Sequence, residues 1–290
     1  MTCSGEGSTI TTVCPPQPSA DASPTPLRGG AGDTLSSELW PAGRVLVVAA
    51  TYNEIDNIAA LTEAVLAACP AAQLLVVDDA SPDGTGEVAL TLAEENPRLH
   101  VLIRRGRRGL GSAILEGFSM AAAHGFAVAV NMDADFSHDP ADIDRLLAAL
   151  EPAGGRAADV AIGSRRVPGG RTVGWPLSRR ITSSLVGWFT RCVLCVPVRD
   201  PSSGFRAVRL GIMQRLPRNF SPGYAFFEDL LWHTHRAGGR IVEVPITFTD
   251  RVRGSSKAGL AAALEGIRDL LRLAVATWLP GHPLRRTPYQ

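Results

Sequence analysis

The stretch Asn131 to Pro140, NMDADFSHDP, leaves an apolar run and places Asp133, Asp135 and Asp139 close together. Carboxylates grouped at the end of a buried strand are costly unless something offsets their charge. Two uses fit: binding a hard divalent cation, which prefers oxygen ligands, or accepting hydrogen bonds from a ribose and a base. Asp133 and Asp135 flank the small Ala134, which leaves room for a bulky ligand. Asp139, directly before Pro140, reads instead as a helix cap, and Asp83 in SPDGT as a turn residue. A second acidic group, Asp78-Asp79, closes another apolar run, QLLVV. Cys192 and Cys195 have CxxC spacing, but no second pair completes a zinc site. They read as a buried, inert pair, with metal or redox chemistry as the less favoured alternative.

The elements that must position these residues follow from hydrophobic periodicity. Continuous apolar runs at 44–50, 73–79, 100–103, 126–133 and 159–164 read as strands buried on both faces. Between them, helical spacing is expected at about 56–69, 85–96, 110–124 and 140–150, with Pro140 in a first helical turn. Alternating strands and helices predict an α/β fold with a mainly parallel central sheet and helices on both faces. Ligands of such sheets bind outside the carboxyl ends of the strands, where Asp78-Asp79 and Asp133-Asp135 fall.

The chain has 290 residues, enough for one large α/β domain, and 45% are hydrophobic. Lys plus Arg number 29 against 28 Asp plus Glu, so the overall balance makes no case for nucleic-acid binding. Five cysteines at irregular spacing do not form a secreted disulfide framework, and a reducing cytosol fits them better. Apolar stretches are interrupted by Arg191, Glu265, Arg268, Asp269 and Arg272, so no transmembrane helix is expected. Residues 1–43 lack the basic and apolar regions of a signal peptide, and their Ser, Thr, Pro and Gly content predicts a disordered tail.

In order along the chain, ATYNEIDNI, VVDDASPDGT, RGLGSAILEGF, NMDADFSHDP, GSRRVPGG, RDPSSGFRA, GYAFFEDLLW and EVPITFTDRVRGSSK resemble the dolichol-phosphate (polyprenyl-phosphate) mannosyltransferases of glycosyltransferase family 2. The resemblance spans roughly residues 44–257 and implies a GT-A (Rossmann-like) nucleotide-sugar-binding domain there, followed by a C-terminal amphipathic helix and tail at 258–290. It implies transfer of mannose from GDP-mannose to a dolichyl or polyprenyl phosphate, with inversion. A UDP-glucose-dependent glucosyltransferase acting on the same lipid, and a catalytically silent nucleotide-sugar-binding domain, are the alternatives.

Matched position by position, the resemblance assigns the nucleotide sugar to Ala50, Tyr52, Glu54, Val77, Asp79, Asp133, Ala134, Asp135, Arg165, Arg251 and Lys257. Mg²⁺ or Mn²⁺ is assigned to Asp133 and Asp135. The acceptor phosphate falls to Arg179, Arg180 and Ser183, and catalysis to Asp135, Arg165 and Arg251. A lipid phosphate is already an anion at neutral pH, so arginines that hold two negative reactants together matter more than a general base. Glu228-Asp229 is similar to the acidic pair that hydroxyl-glycosylating relatives use as a base, a role this acceptor does not require. Arg166 and Ser255 depart from the Tyr and Glu common in the family.

Such an acceptor implies a peripheral protein at the cytoplasmic face of a membrane, with no obligate protein partner. Two segments suit a lipid: 181–198, with Trp188 and Phe189, and 257–279. In the latter Leu260, Leu264, Ile267, Leu271, Ala274, Val275 and Trp278 form one stripe, compatible with core packing or with the membrane interface.

Overall fold

The structure, a computed structural model, describes residues 34–35, 43–106, 109–152, 154–217, 220–250, 260–279, 282 and 284. Arg251, Lys257 and most of the 1–43 segment lie outside them.

The first half alternates as expected: β2 (Val45–Thr51), α1 (Ile55–Ala68), β3 (Ala72–Asp78), α2 (Thr85–Glu95), β4 (Leu99–Ile103), α3 (Leu110–Ala123) and β5 (Val128–Asn131). A 3₁₀ turn at Pro140–Asp142 leads into α4 (Ile143–Leu150), and β6 spans Val160–Ser164. The strands read as continuous apolar runs because helices cover both faces. Side chains alternate across the sheet, so Leu46, Val48, Leu75 and Val77 pack towards α3 while Val47, Ala49, Leu74 and Val76 pack towards α1, α2 and α4.

Thr34–Leu35, inside the stretch read as a disordered tail, forms β1 and pairs antiparallel with β4. The larger departure comes after β6. Strand β7 (Arg171–Val173), α5 (Leu177–Cys192), β8 (Arg206–Arg209), α6 (Leu210–Met213), α7 (Phe226–Arg236), β9 (Ile241–Pro245), β10 (Thr247–Thr249) and α8 (Leu260–Trp278) complete the chain. The main sheet runs β1-β4-β3-β2-β5-β8-β6-β9, and β8 is antiparallel to both β5 and β6. Strands β7 and β10 form a separate parallel pair beside the carboxyl end of β6. The sheet is therefore mainly parallel, with one reversed strand near its middle.

Helix α8 packs on the face covered by α7: Leu273 and Ala276 are buried, and the Trp232 indole N–H donates to Thr277 Oγ1 at 2.9 Å. The apolar stripe of the sequence reading points the other way, with Leu264, Ile267, Leu271, Val275 and Trp278 exposed. Among the described residues no helix is long and apolar enough to cross a membrane.

Candidate functional site

At the carboxyl ends of β2, β3 and β5 lies a cavity of about 280 Å³ lined by Ala50, Tyr52, Glu54, Asp79, Asp133, Ala134 and Asp135, seven of the residues expected to hold the nucleotide sugar. Each arrives where a buried strand gives way to a loop. Thr51, Gly109, Leu110, Ala113 and Tyr224 complete the lining; they sit in or beside motifs that carried the resemblance but had drawn no role.

Val77 is a correction. Strand alternation turns its side chain into the core, where it is fully buried, so the side chain does not reach the cavity. The neighbouring aspartates also divide their work. Asp78 accepts from Thr51 Oγ1 at 2.9 Å and from the Ser81 amide at 2.8 Å, and so ties two strand-end loops together. Asp79 accepts from Arg104 Nε at 2.7 Å, from Arg104 Nη2, and from the Gly109 amide at 3.0 Å. Buried Arg104 is a residue that sequence reasoning missed; it fixes Asp79 at the cavity wall and fastens the glycine-rich loop before α3. Asp83 and Asp139 order a turn and cap the 3₁₀ segment, as expected: Asp83 accepts from the Thr85 and Ile55 amides, and Asp139 from the Ala141 amide.

Asp133 and Asp135 share one wall of the cavity. The Ser137 amide donates to Asp135 Oδ1 at 3.0 Å, and His138 Nδ1 lies 3.3 Å from the Asp133 amide. Gly204 makes room for this arrangement, since a Cβ there would sit 3.0 Å from Asp133 Oδ1. His138 is buried against Phe205 and Phe248, and burial lowers its pKa. Two carboxylates suit a hard cation that fills its remaining positions with diphosphate oxygens and water, the habit of Mg²⁺ and Mn²⁺. Among the described residues no third His, Cys, Asp or Glu joins them. The donor set thus fits a cation shared with a substrate rather than one caged by protein.

A second cluster gathers around Trp175. The Arg165 guanidinium lies 4.7 Å from the centre of this indole ring and that of Arg179 lies 4.4 Å from it. Phe248 meets Trp175 edge-on at 5.2 Å and His138 at the same distance, so one aromatic run joins the two clusters. Trp175 is buried and its indole N–H has no hydrogen-bond partner.

Arg165 departs from its expected role. Its amide and Nε both donate to Asp200 Oδ2, at 2.8 and 2.7 Å, and Nη2 donates to Asp200 Oδ1 at 2.5 Å and to Ser202 Oγ at 3.1 Å. This buried bidentate pair already matches its charge, which makes Arg165 a positioning group more than an open phosphate ligand. Ser202 Oγ lies 3.3 Å from Ser183 Oγ and so links Arg165 to the expected acceptor serine on α5. Arg179 pairs with Asp250 at 2.8 Å and remains partly exposed. Arg180 is exposed and donates to the Thr172 carbonyl at 3.2 Å. Arg251 and Lys257 follow Asp250 outside the described residues.

Glu228 and Asp229 do not line the cavity. Asp229 accepts from the Ser221 amide at 2.8 Å and secures the loop that carries Tyr224. Glu228 is buried, and burial raises its pKa to about 7. Cys192 and Cys195 are exposed free thiols, contrary to the expected buried pair, because they lie at and just past the end of α5 on its outer side.

The family model for glycosyl transferase family 2 matches residues 46–216. An undecaprenyl-phosphate mannosyltransferase of Micrococcus luteus is 43% identical over 247 residues, covering 79% of this chain and 100% of the relative. A polyprenol monophosphomannose synthase of Mycolicibacterium smegmatis is 44% identical over 231 residues, covering 79% of this chain and 85% of the relative. Among solved structures, the fold is similar to that of glucosyl-3-phosphoglycerate synthase from Mycobacterium tuberculosis in complex with Mn²⁺, UDP and glucosyl-3-phosphoglycerate. That match has TM-score 0.57 and 21% identity, over 81% of this chain and 80% of that one.

Proposed function

The chain belongs to glycosyltransferase family 2 and, within it, to the polyprenyl-phosphate mannosyltransferases, and from that premise we propose that it transfers mannose from GDP-mannose to a polyprenyl phosphate with inversion. The observation that carries the reading is the convergence of Tyr52, Glu54, Asp79, Asp133 and Asp135 on one cavity, joined by an aromatic run to a cluster holding Arg179 and Ser183.

In this reading the strand-end loops hold the nucleotide, with Asp79 kept in place by Arg104. Asp133 and Asp135 face the diphosphate, where a bound Mg²⁺ or Mn²⁺ offsets the charge that develops on the departing GDP. Arg179 and Arg180 draw the acceptor phosphate to α5, and Arg165 and Trp175 hold Arg179 in line. A phosphate oxygen attacks the anomeric carbon, the bond to GDP breaks, and no proton need be removed. Positioning and charge neutralisation therefore supply the catalysis. Arg251 and Lys257 are proposed to approach the phosphates from the segment after Asp250. The lipid acceptor sets the reaction at a membrane surface, which we take to be the cytoplasmic one.

The test is incubation of the purified chain with labelled GDP-mannose or UDP-glucose and a polyprenyl phosphate, with and without EDTA. Chloroform-extractable label from GDP-mannose, lost with EDTA and restored by Mg²⁺ or Mn²⁺, is the expected result. Label from UDP-glucose alone would replace mannose with glucose, and no extractable label from either donor would overturn the reading.

A further inference from the structure

Two helices expose apolar stripes that the fold leaves uncovered. On α5, Leu177, Ile181, Leu185 and Trp188 recur at helical spacing and are each more than half exposed. On α8, Leu264, Ile267, Leu271, Val275 and Trp278 do the same. The stripes meet: the Trp278 indole N–H donates to the carbonyl of Val193, in the turn that ends α5, at 2.8 Å. So many exposed large apolar side chains on adjoining helices mark a contact surface.

Charge identifies what it contacts. Helix α5 contains no acidic residue, and Arg180 and Arg191 flank its stripe in the exposed region. On α8, Arg268 and Arg272 are exposed beside the stripe, whereas Asp269 is buried and Glu265 is half-buried towards Gly223. A groove of about 350 Å³ beside Trp188 adds Arg166 and Arg199. Apolar stripes edged by arginines, with the acids turned inward, match a bilayer with anionic head groups: the apolar face enters the acyl boundary and the guanidinium groups stay at phosphate depth. The opposite side of α5 carries Ser183, buried next to Ser202 and Arg165.

We propose that α5 and α8 together form a docking face for an anionic lipid surface, with α5 lying between that surface and the acceptor cluster. This deepens the proposed function by naming the surface from which the lipid acceptor is delivered, yet docking can be measured with no acceptor present. The experiment floats the full chain with acceptor-free vesicles of phosphatidylcholine, or of equimolar phosphatidylcholine and phosphatidylglycerol. Three proteins are compared: wild type, Leu271→Asp/Val275→Asp, and the milder Leu271→Ser/Val275→Ser, each checked for wild-type circular dichroism. Preferential binding of the wild type to the anionic vesicles, weakened by salt and reduced roughly tenfold or more by the aspartate pair, is expected. The serine pair should fall between them. Transfer to a short, water-soluble polyprenyl phosphate should be unchanged in both variants. Equal vesicle binding by all three proteins would overturn the proposal. So would wild-type dimers that dissociate in the variants without any vesicle binding, since the face would then join two copies of the chain. Loss of transfer to the short acceptor in the wild type itself would count against the proposed function and leave the docking result standing.

Discussion

Trp175 buries an indole N–H without a partner, at a cost of about 1–3 kcal/mol, while its ring faces carry Arg165 and Arg179. Each guanidinium–ring contact returns about 0.5–2 kcal/mol and, more to the point, fixes where a mobile side chain points. Trp175→Leu is therefore expected to raise the KM for polyprenyl phosphate roughly tenfold while leaving that for GDP-mannose near its original value, and Trp175→Phe to recover part of the loss. Steady-state kinetics with each substrate varied in turn checks this; equal rises in both KM values would mean that the ring merely supports the fold. Asp135→Ala has a different signature. Without its carboxylate the diphosphate charge is left uncompensated, and the rate should fall roughly 100-fold or more, in line with ~3 kcal/mol or more of lost transition-state stabilisation. A single-turnover assay retaining half the wild-type rate would sink the metal assignment. These two residues were not equally legible. Asp133 and Asp135 declare themselves in sequence because paired carboxylates at a strand end demand a chemical explanation. Trp175 and His138 do not, because a ring becomes a platform only when distant segments close on it, and Arg165 could be seen as basic but not as already paired to Asp200.

At the level of elements, the glycine-rich start of α3 is pressed against the loop that carries Tyr224. A Cβ on Gly111 would lie 2.6 Å from both Phe226 Cβ and the Ser221 carbonyl oxygen, and backbone cannot give way cheaply. Gly111→Ala is expected to cost roughly 1–3 kcal/mol of stability and to raise the KM for the donor, because the displaced loop shifts Tyr224. Urea denaturation and donor-dependent kinetics measure the two effects, and an unchanged midpoint would show that the loop is free to retreat. The first six buried elements were legible because continuous apolar runs and helical spacing rarely mislead when they alternate. Strand β8 was not: Arg206 begins it, and that arginine is fully buried only because its guanidinium donates to the carbonyls of Pro201, Ser203 and Phe227. A buried arginine satisfied by main chain looks, in sequence, like a loop. The stripe on α8 was visible from periodicity, but its direction depended on the opposite face, Leu273 and Ala276, finding α7.

For the molecule as a whole, buried titratable groups set how stability responds to pH. Glu228 has its pKa raised by burial from 4.5 to about 7. Between those values the unfolded chain has released this proton and the folded chain still holds it, so the group's contribution falls as pH rises through the window and levels off above it. The total is at most about 3 kcal/mol. His100 acts oppositely: burial lowers its pKa from 6.5 to about 4, so its contribution rises with pH across that interval and is complete above it. The stability of Glu228→Gln relative to wild type should therefore increase from pH 5 to pH 8. Urea midpoints at both pH values test this; a constant difference would show that Glu228 titrates like an exposed carboxyl.

The reversed strand β8 also orders events during synthesis. Strands β5 and β6 do not bond to each other; both wait for residues 206–209 to slide between them. At ribosomal speeds of about 5–20 residues per second, roughly 4–15 s separates completion of β5 from arrival of that strand. Throughout this interval the carboxylate-bearing edge and the arginine that pairs with Asp200 belong to two unjoined pieces of chain. The nascent protein can complete half of its sheet early, but its two reactant-binding halves can be brought together only once the keystone strand has left the exit tunnel.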